Sequence, residues 1–300
     1  MVASRDFGGV ICPIVTPFDD HDSIDLNAVT DLVDFLISKG IHGLMVAGST
    51  GEGPLLSLEE RKLLTEHVVG CVASRCLVIA HVGCMSTAET VALAQHARDC
   101  GADAASAVVP FFFTYDQLSL ASHFETAMRS VDDFPFFIYS FPGNAKNDVS
   151  PELVRELRSR VPNFVGLKVS SSDLGRVQEY LAAGGDGLVM YTGSDGLMLP
   201  SLATGTSGSV SGNANVFPEL FCGLYEAFQA GDWARALALQ RQINQVRRIL
   251  RDGLHPAFFK AALSHKGLNG GRVRSPMREL TPEERTELVA SLENLGPEFI

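Results

Sequence analysis

The sequence predicts a closed (β/α)₈ barrel, the TIM-barrel architecture, with a helical C-terminal extension. Short apolar runs rich in Val, Ile and Phe recur eight times before residue 215, each followed by a helix-length amphipathic stretch. The runs are continuous rather than alternating, as parallel strands covered by helices on their faces must be. After the eighth run the chain turns purely helical. A barrel of this kind takes ~250 residues, and the chain has 300. An open doubly wound sheet is the alternative, but no extended Gly-rich dinucleotide turn supports it.

The first strand is expected over Gly9–Phe18. The helix after it runs from Asp25 to Lys39, with Leu26, Val29, Leu32, Val33 and Leu36 on its apolar side and Gly40 as its stop. Gly43–Ala47 is the second strand. Ser57 and Glu60 form a capping box that starts the next helix, which reaches Ser74. Strands then recur near 77–82, 102–109, 134–140, 164–169, 187–192 and 205–211, with helices between them. Four helical segments close the chain: Glu219–Gln229, Trp233–Leu250, Pro256–His265 and Pro282–Leu295. That is more than one closing helix, so the expected division is a barrel over 1–230 and a helical extension over 231–300 packed on it. No low-complexity linker or long charge run interrupts the rhythm.

Composition excludes several classes. An apolar fraction of 46% with 20% charged residues is that of a folded chain. Lys plus Arg number 24 against 35 Asp plus Glu, a formal net charge of −11. Such a chain lacks the positive field that holds nucleic acid or an anionic membrane, so neither partner is expected. The cysteines at 12, 71, 76, 84, 100 and 222 form no CxxC pair and no disulfide framework. Arg5 and Asp6 stand too close to the first apolar run for a signal peptide, and a reduced, cytoplasmic protein is expected. No apolar run approaches the ~18 residues of a membrane span.

In a barrel, chemistry sits at the C-terminal ends of the strands. Lys168 lies in Phe164–Ser171, an apolar strand with no acidic residue within four positions on either side. Burying an unpaired ammonium is costly. Desolvation favours the free amine, which can attack a carbonyl and form a Schiff base; the structural alternative is a strand-end lysine that reaches solvent or a distant carboxylate. Tyr139 closes the fifth run, and a phenol there can relay protons or simply pack as a core aromatic. Phe141-Pro142-Gly143 behind it makes a rigid turn. Gly48-Ser49-Thr50-Gly51-Glu52 follows the second strand, and its backbone N–H groups and hydroxyls suit a carboxylate or phosphate, or else a helix cap. It lacks the P-loop pattern. Asp195, in Gly193–Gly196, reads as an N-cap, and Gly208–Asn213 lets backbone approach a small ligand. The eight histidines show no metal-ligand spacing and no serine sits in a GxSxG elbow, so neither a metal nor acyl transfer is expected. His42 and His81 read as structural imidazoles flanking strands.

The order GSTGE after strand two, Tyr139 with Pro142 after strand five and Gly166-x-Lys168 in strand six resembles the pyruvate-dependent class I (Schiff-base) aldolases, relatives of dihydrodipicolinate synthase and N-acetylneuraminate lyase. The resemblance extends from Thr16-Pro17-Phe18, through the helix start at Pro151, to Leu280-Thr281-Pro282-Glu283-Glu284. It implies a (β/α)₈ barrel with a helical extension, assembled as a homotetramer. Lys168 would form the imine, Tyr139 would relay the proton, Ser49 and Thr50 would bind the carboxylate of a 2-oxo acid such as pyruvate, and Val210 would add backbone contacts. No organic or metal cofactor is implied.

Two departures bear on the second substrate, an aldehyde. Dihydrodipicolinate synthases usually carry a tyrosine at the position of Phe112, lent to a neighbouring subunit's site, and an arginine at the position of Asn144 that grips the aldehyde's carboxylate. Tyr115 is the nearest replacement for the missing phenol. A neutral pocket rim with Asn144 and Ser140 suits a polyhydroxylated aldehyde, so cleavage of a 2-keto-3-deoxy sugar acid such as 2-keto-3-deoxygluconate is favoured. The alternatives are dihydrodipicolinate synthase activity, a dehydratase using the same imine, and a non-catalytic paralogue.

Overall fold

The computed structural model describes residues 6–253, 255–296 and 299. Met1 to Arg5, on which the expectation of a leaderless start partly rests, lie outside the described residues, as do Pro297, Glu298 and Ile300 at the end of the expected extension. Eight parallel strands pair in sequence order and close on themselves: β1 (Gly9–Pro13), β2 (Gly43–Val46), β3 (Leu77–His81), β4 (Ala104–Val108), β5 (Phe136–Ser140), β6 (Phe164–Val169), β7 (Val189–Thr192) and β8 (Gly208–Val210). Closure removes every sheet edge. Between strands run α1 (Leu26–Ser38), α2 (Leu58–Val72), α3 (Thr87–Asp99), α4 (Gln117–Arg129), the short α5 (Pro142–Ala145), α6 (Pro151–Arg160), α7 (Leu174–Gly184) and α8 (Met198–Ala203). The C-terminal helices are α9 (Pro218–Gln229), α10 (Trp233–Ile249), α11 (Pro256–His265) and α12 (Pro282–Glu293).

The predicted barrel and its helical tail are therefore both present, and the helix starts follow from local chemistry. Asp25 accepts the Ala28 N–H at the head of α1. At α2 both halves of the predicted box form, Glu60 N–H to Ser57 Oγ at 3.2 Å and Ser57 N–H to Glu60 Oε2 at 2.8 Å. A second box, Thr281 with Glu284, starts α12. The strands are shorter than the apolar runs, most clearly at β1, which stops at Pro13 rather than Phe18. Ile14 makes one further bond to the Met45 carbonyl (3.1 Å), but the next N–H, on Val15, is taken by the Asn215 side chain at 3.0 Å. Asn215 also donates to the carbonyls of Pro13 and Gly212, both at 2.9 Å, so one amide turns the chain out of the sheet and ties it to the turn after β8.

Period-two alternation divides the apolar residues into two cores. Outward-facing Val10, Leu44, Val46, Val78, Phe136, Ile138, Leu167 and Met190 pack beneath the helices. Inward-facing Ile11, Met45, Ile79, Ala104, Phe137, Tyr191 and Val210 fill the barrel, with Phe7 closing its floor. The Tyr191 hydroxyl donates to the Phe7 carbonyl and holds that floor in place. Each such aromatic or aliphatic side chain contributes roughly 1.5–3 kcal/mol by leaving water. The alternation also aims the chemistry: two residues beyond inward Phe137 comes Tyr139, paired in register with Lys168, which is paired in turn with Tyr191. All six cysteines are free thiols. No helix of the described residues is long and apolar enough to cross a membrane.

Candidate active site

A cavity of about 610 Å³ opens at the C-terminal ends of the strands. Ser49 and Thr50 from the turn after β2, Tyr139 from β5, Asn144 from α5, Lys168 from β6 and Val210 from β8 all line it. Residues up to 161 positions apart are thus brought to one surface by the barrel. Ser140, expected on the rim beside Asn144, does not line the cavity: it is buried, and its hydroxyl donates to Asp148 Oδ1 at 2.5 Å instead.

Lys168 is 6% exposed and makes no ion pair or hydrogen bond among the described residues. Its Nζ lies 3.9 Å from the centroid of the Tyr139 ring, a cation–π approach that stands where a counter-ion would. The glycine two residues before it has a packing reason. A Cβ on Gly166 would fall 2.1 Å from the Val189 carbonyl oxygen and 2.8 Å from the Phe137 ring, so β6 could not pair with β7 as it does. The G-x-K spacing places a bare backbone in the barrel wall and then a lysine at its mouth.

Tyr139 is buried and held on three sides. Phe141 stacks on it with centroids 5.6 Å apart, His81 meets it edge-on at 6.3 Å, and its hydroxyl is 3.3 Å from Ser170 Oγ. Pro142 begins α5 directly behind Phe141, as the rigid turn predicts. His81 is structural, as expected. Burial pushes its imidazole well below the usual histidine range, nearby Arg61 and Lys168 push the same way, and its Nε2 accepts the Val108 N–H at 3.3 Å. Arg61 is buried with no carboxylate partner among the described residues and donates instead to the carbonyls of His81 (2.6 Å) and Gly83 (3.2 Å) and to Cys84 Sγ (3.0 Å).

The Ser49-Thr50 turn is fixed from beneath. Thr16 donates its hydroxyl to the Gly51 carbonyl at 2.7 Å. Glu52, fully buried, pairs with Lys260 of α11 at 2.6 Å and accepts the Arg274 N–H at 2.8 Å. Lys260 completes its three donors on the carbonyls of Thr16 (2.7 Å) and Arg272 (2.5 Å). Burial lowers the Lys260 pKa and the Glu52 carboxylate opposes it. Glu52 closes the GSTGE motif, but its partner is not evident from it, although a lone lysine inside Pro256–His265, between Phe259 and Ala261, is the same signal that marks Lys168.

Three further sequence expectations need correction. Asp195 does not cap a helix: it begins a single 3₁₀ turn, and its Oδ2 accepts from Ser211 Oγ (2.7 Å) and Asn213 Nδ2 (2.5 Å) at the cavity wall. One face of Asp195 opens to the cavity, yet protein encloses it, and that desolvation pushes its carboxyl up to about 6 against the lowering effects of Asn213, Ser211 and Arg247. Tyr115 does not replace the missing phenol within its own chain. Asn147 accepts the Tyr115 N–H at 2.9 Å and donates to the carbonyls of Pro110 (2.8 Å) and Phe113 (2.6 Å), which turns the loop outward. Phe112 accordingly is 70% exposed and Phe113 61% exposed, both away from the cavity. The rim is also not free of charge. Besides Asp195 it carries Arg247 from α10 and Asp252, whose Oδ1 accepts the Arg247 Nε–H at 2.5 Å. Ser170, Ser172, Ser194 and Asn213 complete the polar wall. No group of three or more His, Cys, Asp or Glu among the described residues is placed to hold a metal.

The site thus offers a buried amine without an ion-pair partner, a phenol against it, a hydroxyl-bearing turn opposite, and a polar wall beyond. Known proteins share the fold that carries it. An uncharacterized DapA-like lyase of Halobacterium salinarum is 38% identical over 288 residues, 96% of this chain and 94% of the relative. The 4-hydroxy-tetrahydrodipicolinate synthase of Bartonella quintana is 36% identical over 96% of this chain and 98% of its own. The crystal structure of dihydrodipicolinate synthase DapA-2 from Bacillus anthracis superposes with a TM-score of 0.93 at 33% identity, covering 98% of this chain and 100% of that one. YagE of Escherichia coli K12, a member of the dihydrodipicolinic acid synthase family solved with pyruvate, also reaches 0.93, at 26% identity over 99% of this chain and 100% of its own. The model of the dihydrodipicolinate synthetase family matches residues 6–295. With the barrel, the C-terminal helices and nearly the full chain aligned, this protein belongs to the dihydrodipicolinate synthetase family and is a lyase of that type.

Proposed function

We propose that the protein is a pyruvate-dependent Schiff-base aldolase in which Lys168 forms the imine. The observation that carries this reading is a buried lysine at the barrel mouth with no ion-pair partner among the described residues, 3.9 Å from the Tyr139 ring. The Lys168 amine adds to C2 of a 2-oxo acid, and water leaves to give a protonated imine. In cleavage the C3–C4 electron pair moves into that imine, leaving an enamine, while Tyr139 takes the proton of the C4 hydroxyl as the aldehyde departs. Protonation of the enamine at C3 and hydrolysis of the imine then release pyruvate and the free lysine. Ser49 and Thr50 donate to the carboxylate and Val210 contributes its backbone, which fixes C2 against the amine. No step calls for an organic or metal cofactor.

For the aldehyde, a hydroxylated 2-oxo acid of the 2-keto-3-deoxygluconate kind is the primary reading. Asn144 supplies an amide, Ser170, Ser172 and Ser194 supply hydroxyls, and Asp195 supplies an acceptor along the cavity wall. The second reading is condensation of pyruvate with aspartate semialdehyde, and the names of the relatives favour it over the first: several are 4-hydroxy-tetrahydrodipicolinate synthases. Against it stand Phe112 and Asn144, where a phenol and a guanidinium would serve that substrate. The kcat/KM for pyruvate with aspartate semialdehyde, measured beside cleavage of 2-keto-3-deoxygluconate on one preparation, separates the two. A semialdehyde preference of about tenfold, some 1.4 kcal/mol, establishes the second reading and removes the first.

A homotetramer in the cytoplasm is part of the same proposal. Met85, Phe112, Phe113 and Leu118 are exposed apolar side chains, Phe112 with Phe113 and Met85 beside Leu118, and self-association covers side chains of this sort. Sedimentation velocity reads the oligomeric state directly.

A further inference from the structure

We propose that Arg247, carried by α10 of the C-terminal helices, determines specificity by binding a hydroxyl of the aldehyde half of the substrate. The inference rests on the Lys168 reading and adds to it a residue that the barrel itself does not supply.

The placement of the guanidinium is built from both sides. Asp252 holds Nε at 2.5 Å, and Asn244, one turn earlier on α10, accepts from Nη1 at 3.4 Å. Gly196, in the turn after β7, is the surface on which the guanidinium lies: a Cβ there would fall 2.1 Å from Nη1 and 2.9 Å from Cζ. Any side chain at 196 would expel Arg247 from its seat. Among the described residues Nη2 has no hydrogen-bond partner, and Arg247, Gly196, Asp195 and Asp252 all line the same cavity as Lys168. An uncommitted, oriented donor on the wall of a reaction cavity is a binding group for an oxygen of whatever fills it.

Charge decides which oxygen. The single guanidinium stands between two carboxylates, Asp252, which it bonds, and Asp195, whose field it also feels. A further carboxylate brought in by the substrate would meet that excess of negative charge. A hydroxyl would not: its oxygen accepts from Nη2, and its proton can go to Asp195 Oδ1, which has no donor among the described residues, both Ser211 and Asn213 donating to Oδ2. Both contacts would be charge-assisted. The substrate class is a neutral aldehyde with a hydroxyl beside or near the carbonyl.

The test is the rate of aldol addition of pyruvate to glyceraldehyde, to propanal and to aspartate semialdehyde, with borohydride trapping of the pyruvate imine as a separate readout. A site built to bond a hydroxyl rejects the analogue that lacks it, so the wild-type protein should favour glyceraldehyde over propanal. Arg247→Ala should lower kcat/KM for glyceraldehyde by about tenfold to a hundredfold and leave propanal and the trapped imine unchanged. Gly196→Ala should do the same with Arg247 intact, because residue 196 lacks a left-handed backbone and only the end of a flexible side chain must move. An unchanged glyceraldehyde-to-propanal ratio in both variants overturns the proposal while leaving the imine reading standing. A loss in Arg247→Ala that falls on aspartate semialdehyde instead overturns the hydroxyl assignment. Failure of the wild-type protein to trap pyruvate overturns the underlying reading, whatever the variants do.

Discussion

Among the described residues two lysines are buried, and their hydrogen-bonding surroundings differ. Lys260 is 2% exposed, with its ammonium saturated by one carboxylate and two carbonyls and lying 4.6 Å from the Phe18 ring centroid. Lys168 is 6% exposed, bonded to no oxygen among the described residues, and faces a cavity. Burial is common to both, so burial does not mark chemistry. Satisfaction does: a cation whose three donors are filled serves as a strut, whereas an amine with none filled beside an open space remains available to a substrate carbonyl. The two are joined in purpose, because the strut fixes the Ser49-Thr50 turn opposite the amine.

Substitutions at each lysine should separate the roles. Lys168→Ala is expected to abolish turnover, by roughly 10³-fold or more, since no other group on the cavity wall is an amine. Its thermal midpoint should stay near that of the parent, because no hydrogen bond or ion pair is lost. Lys260→Met should do the reverse first, costing about 3–5 kcal/mol of stability by stranding a buried Glu52 carboxylate. The paired variant Glu52→Gln with Lys260→Met should recover much of that loss. Denaturant titration of the three proteins checks both statements, and a Lys260→Met protein as stable as its parent would remove the strut from the account.

Tyr139→Phe sharpens the contrast at smaller cost. Among the described residues the phenol hydroxyl has one hydrogen-bonding partner, Ser170 Oγ at 3.3 Å. Its loss should therefore spare the fold and the trapped imine while lowering aldol turnover by ~10²-fold or more, the scale of a positioned acid or base. Cleavage at the parental rate would make the tyrosine a packing residue.

The smallest effect concerns Asp195. Its folded-state carboxyl, at about 6, lies above the ordinary aspartate value of about 3.9, so between those values the native state holds more protons than the unfolded one. Stability from this group is therefore present at low pH and is lost as pH rises from about 4 through about 6. Asp195→Asn should gain about 1–2 kcal/mol over its parent near pH 7.5, and the difference should vanish near pH 4. A pH-independent difference would show that the hydrogen bonds from Ser211 and Asn213, rather than desolvation, govern the site.

What could be read from the amino acids alone follows the range of the forces involved. The Ser57–Glu60 box and the Gly40 stop are local, and helix limits came within two or three residues of those observed. The apolar runs place all eight strands but overstate their length, because the residues past β1 stay buried at the barrel mouth while a side chain 200 positions away takes their hydrogen bonds. Lys168 was legible as a charge inside an apolar strand, and Tyr139 and the Ser49-Thr50 turn through their order along the chain. Arg247 was not: α10 carries Arg235, Arg241, Arg247 and Arg248 on a polar helix, and nothing local distinguishes the one that crosses Gly196. Its position depends on how the C-terminal helices meet the turn after β7, which no periodicity encodes. The neutral rim inferred from Asn144 failed for that reason, since the charge arrives from another part of the chain.

The central claim is that the unsatisfied lysine, not the saturated one, is the nucleophile, and one measurement reaches it. Reduction with borohydride in the presence of pyruvate, followed by peptide mass mapping, should place a single covalent adduct on Lys168, with Lys260 unmodified in the same digest. An adduct on Lys260 or elsewhere, or none on correctly folded protein, would contradict the account.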